Sequence, residues 1–178
     1  MLCIAVTVAY AGGQFVLFSY FAPYFRSTQG MSSGQLSFLF MAFGAFGLAG
    51  NIWMARAIDR VGANRSVLLA VGAMALSMVL WPLGTSLWLA IVVCAPWALG
   101  CFSSNSAQQA RLVAIAPGLA AGSIALNSSA MYGGQALGAA TGGWLIENHG
   151  YGTLHWAALA GLLLSMALSV VATRAARA

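Results

Sequence analysis

Gly50-Asn-Ile-Trp-Met-Ala-Arg56-Ala-Ile-Asp59-Arg60-Val-Gly62-Ala-Asn-Arg65 leads directly into Ser66-Val-Leu-Leu-Ala-Val-Gly-Ala-Met-Ala-Leu-Ser-Met-Val-Leu-Trp-Pro82-Leu83. The first stretch crowds four charges around a glycine, and the second carries none. A helix crosses the bilayer core on about 20 apolar residues, so the pair reads as a charged loop feeding a membrane span. The rest of the chain repeats that alternation. Of 178 residues only nine are charged (seven arginines, Asp59 and Glu147), and 61% are hydrophobic. Mean hydropathy is +0.88. A soluble domain has roughly a quarter of its residues charged, and disorder needs low hydrophobicity. Both are excluded.

Charged and turn-forming residues divide the chain into six apolar spans, at about 2–25, 35–55, 66–83, 87–110, 118–146 and 153–173. The fold class is therefore all-α, a polytopic membrane protein forming one six-helix domain over residues 1–178. The first span is too long for a secretory signal peptide and has no charge before Arg26. A closed β-barrel would alternate along segments of about ten residues, whereas these segments are uniformly apolar. Six spans put both termini on one side, with the connections after spans two and four. Arg56, Arg60, Arg65, Arg111, Arg174 and Arg177 fall on that side and only Arg26 on the other. By the positive-inside rule both termini are cytoplasmic. The net charge of +5 thus reads as topology, and no basic patch interleaved with aromatics suggests nucleic acid. Cys3, Cys94 and Cys101 lack metal-ligand spacing and read as small apolar residues. Neither a metal nor a cofactor is expected.

The segment Asp59-Arg60-Val61-Gly62-Ala63-Asn64-Arg65 carries more than a topology signal needs. A carboxylate where a helix ends can receive a neighbouring helix N-terminus or an arginine, and Gly62 permits a tight reversal. A solvated basic loop is the plain alternative. The segment resembles the cytoplasmic D-R-x-G-R-[RK] signature of the major facilitator superfamily. Ala55 stands where a glycine is usual, and Ala63-Asn64 interrupts the basic run. Gly13-Gln14-Phe15 through Tyr20-Phe-Ala-Pro23, Gln108-Gln109-Ala-Arg111-Leu-Val, and Ala125-Leu-Asn127-Ser-Ser through Gly142-Gly143 resemble the drug and sugar efflux branch. The resemblance covers essentially the whole chain and fits the C-terminal six-helix half of a twelve-helix transporter.

That resemblance implies 3+3 inverted repeats and alternating access around a midplane cavity. It also implies efflux of a sugar-like or drug-like solute, coupled to protons, in a bacterial inner membrane. The partners implied are the lipid bilayer, the small-molecule substrate, and a missing N-terminal half or a second copy. Asp59, Arg60, Gly62 and Arg65 become a conformational latch between halves. Gly134, Gly138 and Gly142, with Ala130, form a stripe on span five, and Gly44, Gly47 and Gly50 lie on span two. Small residues at such spacing let helices approach closely in lipid. In the family those two helices face the other half, so the stripes are expected at the half–half interface; packing within the bundle is the alternative.

Polar residues inside spans need a partner or water. Tyr10 and Gln14 in span one, Asn105 and Gln108 in span four, and Asn127, Met131 and Gln135 in span five are candidates for the substrate cavity. Interhelical hydrogen bonding is the competing role for each. Asn105 and Gln108 fall toward the cytoplasmic end of their span. Pro96 should kink span four. Both acids lie at span ends and His149 and His155 near the outer face, so a proton relay is expected in the absent half. An intramembrane serine protease would need a G-x-S-G turn, and Gly100-Cys-Phe-Ser103-Ser104 lacks its second glycine. No enzymatic activity is expected. A channel would show charge rings or a carbonyl filter; an oligomeric channel and a structural subunit remain the alternatives to a transporter.

Overall fold

The computed structural model describes residues 2–175, so Arg177, counted above with the cytoplasmic arginines, lies outside the described residues. Among the described residues seven helices follow one another: α1 (Leu2–Phe18), α2 (Phe21–Gln29), α3 (Ser33–Val61), α4 (Ala63–Leu80), α5 (Leu87–Ile115), α6 (Ala120–His149) and α7 (Leu154–Ala175). Short 3-10 turns at Trp81–Leu83, Pro117–Leu119 and Tyr151–Thr153 join the later ones.

The helix ends differ from the expected spans for identifiable reasons. Span one is two helices, broken at Ser19–Tyr20. Pro23 has no N–H to give Ser19, and its ring crowds that carbonyl, so the helix restarts. Ser32 begins α3 with a capping box: its hydroxyl accepts from the Gln35 N–H (3.3 Å), and the Gln35 side chain accepts from the Ser32 N–H (2.9 Å). Charges do not end α3. Arg56, Asp59 and Arg60, expected in a loop, stand on its last turns, and the connection to α4 is Gly62 alone, at φ 82°. Positive φ at that position suits glycine. Likewise α5 runs past Ala110 to Ile115, and α6 past Ile146 to His149, so Arg111 and Glu147 are both on helices.

Five segments are long and apolar enough to cross a bilayer: Leu2–Gln29, Ser33–Val61, Ala63–Leu83, Leu87–Ile115 and Tyr151–Ala175. The chain is thus an integral membrane protein. The 30 residues of α6 reach about 45 Å at 1.5 Å per residue, ample to span. Its glycines, serines and amides make it less apolar than the others.

The packing is regular. α1 lies against α6 and α7, α5 lies against α3 and α4, and α4 meets α7. Glycines set the closest approaches. In parallel register, Gly134, Gly138 and Gly142 of α6 face Val8, Gly12 and Val16 of α1; a Cβ on Gly134 would stand 2.6 Å from the Val8 carbonyl oxygen. Gly13 of α1 meets Gly161 of the antiparallel α7, with a Cβ on Gly161 2.7 Å from the Gly13 Cα. Gly47 and Gly50 of α3 face Phe102 and Leu99 of α5, and Gly100 of α5 faces Ala70 of α4.

These contacts are those of the packing alternative weighed for the two stripes. Gly134, Gly138, Gly142 and Gly50 lie against the backbone of a neighbouring helix, with no room for a Cβ, and Gly47 lies against the Phe102 ring. Gly44 alone of the six has nothing within 4 Å.

The antiparallel pairings give the bundle two ends. At one, the start of α1, the turn at Gly62, the end of α5 and the end of α7 come together. At the other, Tyr24 packs on Trp81 (5.2 Å between ring centroids) and on Tyr151 (6.1 Å). Phe18, Phe21, Phe43, Trp81 and Trp97 form a tilted and edge-to-face aromatic cluster on that side of the midplane.

Candidate functional site

Where α1, α5 and α6 converge, polar side chains bind one another. The Thr7 hydroxyl on α1 donates to Asn127 Oδ1 on α6 at 2.6 Å, and Asn127 Nδ2 donates to Asn105 Oδ1 on α5 at 3.0 Å. Gln108 Nε2 donates to the Thr7 hydroxyl at 3.2 Å and to the Cys3 carbonyl. Thr7 is thus both acceptor and donor in a chain linking three helices. Water is absent from the bilayer core, so a buried amide needs such partners; the Gln108 Oε1 has none among the described residues. Asn105 lies ten residues before the end of α5, about 15 Å inward along the axis. Asn105 and Gln108 are therefore well inside their helix, further from the end than expected.

One turn along α1 from Thr7, the Tyr10 hydroxyl is buried without a hydrogen-bond partner among the described residues. One more turn on, Gln14 is 4% exposed and its Oε1 accepts from the Trp97 indole N–H at 3.4 Å. Thr7, Tyr10 and Gln14 make one polar stripe on α1, at the period of a helix face. On α6, Met131 and Gln135 continue the line of Asn127 but stay half-buried. Of the seven cavity candidates, Asn105, Gln108 and Asn127 form one network. Tyr10 and Gln14 are buried further along the same face of α1, and Met131 and Gln135 retain surface.

α5 is opened beside Trp97. Pro96 offers no N–H, and the Ser77 hydroxyl of α4 inserts at the next position: it accepts from the Trp97 backbone N–H (2.8 Å) and donates to the Val93 carbonyl (2.6 Å). A side chain inserted between residues four apart is one of the recognised causes of a kink. Sequence reasoning found Pro96 but missed Ser77, since serine in an apolar helix gives no sign of its partner. It missed Thr7 likewise, though its spacing from Tyr10 and Gln14 was a usable signal.

Arg111 was expected as a loop charge and is instead 1% exposed. Its guanidinium donates to the Ser169 hydroxyl (3.0 Å), the Ser169 carbonyl (3.2 Å) and the Thr173 hydroxyl (3.1 Å) near the end of α7. The negative end of the α7 dipole takes the place of a carboxylate. Asp59, Arg60, Gly62 and Arg65 stay exposed around the α3–α4 turn. His155 is buried beside Trp156, with both ring nitrogens unpartnered among the described residues.

The sequence profile of the Major Facilitator Superfamily matches residues 2–177. A Bacillus subtilis protein named as an uncharacterized MFS-type transporter, YbcL, is 26% identical over 172 residues, covering 94% of this chain and 43% of that protein. The transcription regulatory protein OpdE of Pseudomonas aeruginosa is 26% identical over 162 residues, covering 91% of this chain and 40% of that protein. The chain thus spans about two fifths of the length of these curated relatives. With a profile that matches nearly end to end, over a bundle of apolar helices, the chain belongs to the major facilitator superfamily.

Proposed function

We propose that the chain is one six-helix body of an alternating-access transporter, carrying a small solute across a bacterial cytoplasmic membrane against a second such body. The observation that carries this reading is the exchange symmetry of the packing. α1 packs on the second and third helices of the other triplet, α6 and α7, and α5 packs on α3 and α4 in the same manner. Exchanging α1-α3-α4 with α5-α6-α7 leaves that pattern unchanged, which is what an inverted 3+3 repeat requires. Gly50 against Leu99 and Gly138 against Gly12 are equivalent contacts under the exchange.

In repeats of this kind the solute site lies near the midplane. Asn105, Met131 and Gln135 keep surface there and serve as solute contacts. Tyr10, Gln14, Gln108 and Asn127 hold the helices around them. Asp59, Arg60, Gly62 and Arg65 latch the arginine-rich end, which is cytoplasmic by the positive-inside rule. The placement as a C-terminal half, the sugar-like or drug-like solute, efflux and proton coupling rest on the sequence resemblance. Both carboxylates stand at helix ends, so a coupling relay belongs to the second body. The name of the Pseudomonas relative concerns transcription, and nothing in a bundle of membrane spans favours transferring that role.

Counterflow in proteoliposomes holding the complete protein tests the reading, with a panel of labelled sugars and drug-like amines. At least one solute should exchange saturably and be stimulated by solute on the far side. Flux that rises linearly without such stimulation indicates a channel, and no flux indicates a structural subunit.

A further inference from the structure

The two acids of the chain occupy the same place in a repeated motif. Ile58-Asp59-Arg60-Val61-Gly62 and Ile146-Glu147-Asn148-His149-Gly150 both read Ile-acid-x-x-Gly, and they stand 88 residues apart. The likeness extends to the backbone. Gly62 ends α3 at φ 82°, ψ 152°, and Gly150 ends α6 at φ 71°, ψ −175°. The Gly62 N–H bonds the Ile58 carbonyl at 2.9 Å and the Gly150 N–H bonds the Ile146 carbonyl at 3.0 Å. The same offset relates Gly50 of α3 to Gly138 of α6, each pressed on the backbone of a parallel neighbour. Because α3 runs with α5, and α6 runs with the oppositely directed α1, the two motifs lie at opposite ends of the bundle.

Each acid also stands in the last turn of its helix, where the carbonyl dipoles disfavour a negative charge, and each side chain is exposed. Neither position serves its own helix. We infer that Glu147 is a second latch at the end opposite Asp59, binding a basic side chain of the second six-helix body when that end is closed. Asp59 has Arg60 beside it, whereas Glu147 is followed by Asn148 and His149; Arg26, the cation of this chain at that end, donates to the Ser33 hydroxyl at 3.4 Å, so the positive group is assigned to the partner. The two acids then bias one equilibrium in opposite directions. This rests on the alternating-access reading above.

The test uses the complete protein in membranes, with a reporter at the half-buried Ser128 of α6, Ser128→Cys, in a background free of the three native cysteines. An impermeant maleimide is applied from either side. Asp59→Asn should raise labelling from the cytoplasmic side, and Glu147→Gln should raise labelling from the outer side. Each change should be about two- to fivefold, the worth of an exposed ion pair. Glu147→Asp, which installs the acid found at 59, should keep the parent ratio, and the double neutral variant should fall between the singles. If Asp59→Asn shifts labelling while Glu147→Gln leaves it unchanged or shifts it the same way, the outer latch is overturned and alternating access stands. If neither substitution nor added solute changes the ratio, both readings are overturned.

Discussion

At the scale of single residues, the bundle depends on what is missing from its glycines. A Cβ on Gly138 would fall on the Gly12 backbone, which cannot swing aside as a side chain can, whereas a Cβ on Gly44 meets nothing within 4 Å. Gly138→Ala should therefore destabilise the bundle by about 1–3 kcal/mol, as overpacking does. Gly44→Ala should be neutral, or stabilising by up to about 1 kcal/mol through helix propensity. The six tryptophans supply the fluorescence to follow thermal unfolding in detergent; equal losses at the two sites would contradict the packing. The amide network makes a second prediction at this scale. Thr7→Val removes the hydroxyl shared by Gln108 and Asn127. A double-mutant cycle of Thr7→Val with Asn127→Leu should return a coupling of about 0.5–2 kcal/mol, the range for interhelical hydrogen bonds in membranes.

At the scale of elements, α5 is the helix whose sequence says least about its shape. Pro96 announces a kink, but the opening is held by Ser77 from a different helix, and no pattern within α5 contains that information. Ser77→Ala should cost about 1–2 kcal/mol, since it leaves the Trp97 N–H and the Val93 carbonyl without their partner. In a Pro96→Ala background the cost should shrink, because a regular α5 can close its own ladder. Comparing unfolding temperatures across that cycle checks the assignment, and an undiminished cost would mean Ser77 matters for another reason. Arg111 shows a related limit. Charge ended the expected span at residue 110, yet the guanidinium is held inside by the Ser169 carbonyl and the Ser169 and Thr173 hydroxyls of α7. Glycine stripes were visible as spacing, but spacing does not say which neighbour they face. Here it is α1 and α5 of the same body.

At the scale of the whole molecule, the helical membrane class follows from charge scarcity and from the length of the apolar runs, both of which are properties of composition. Family membership likewise had its signal in the chain, at Asp59-Arg60-Val61-Gly62. What the sequence does not carry is pairing. That α1 binds α6 and α7, and that Gln108 and Asn127 share Thr7, comes from residues over a hundred positions apart. α6 is the element on which the whole arrangement turns, since its hydropathy is the weakest of the long helices while its glycines bind it most closely to α1. If α6 crosses the membrane, the turns at Gly62 and Gly150 face opposite sides; if it does not, the exchange of triplets and the two opposed acids both fail. The most direct measurement places single cysteines at Asn64 and Gly152 in a cysteine-free background and labels intact cells and inverted vesicles with an impermeant maleimide. The account predicts that Asn64→Cys reacts only in inverted vesicles and Gly152→Cys only in intact cells. Labelling of both positions from the same side would contradict it.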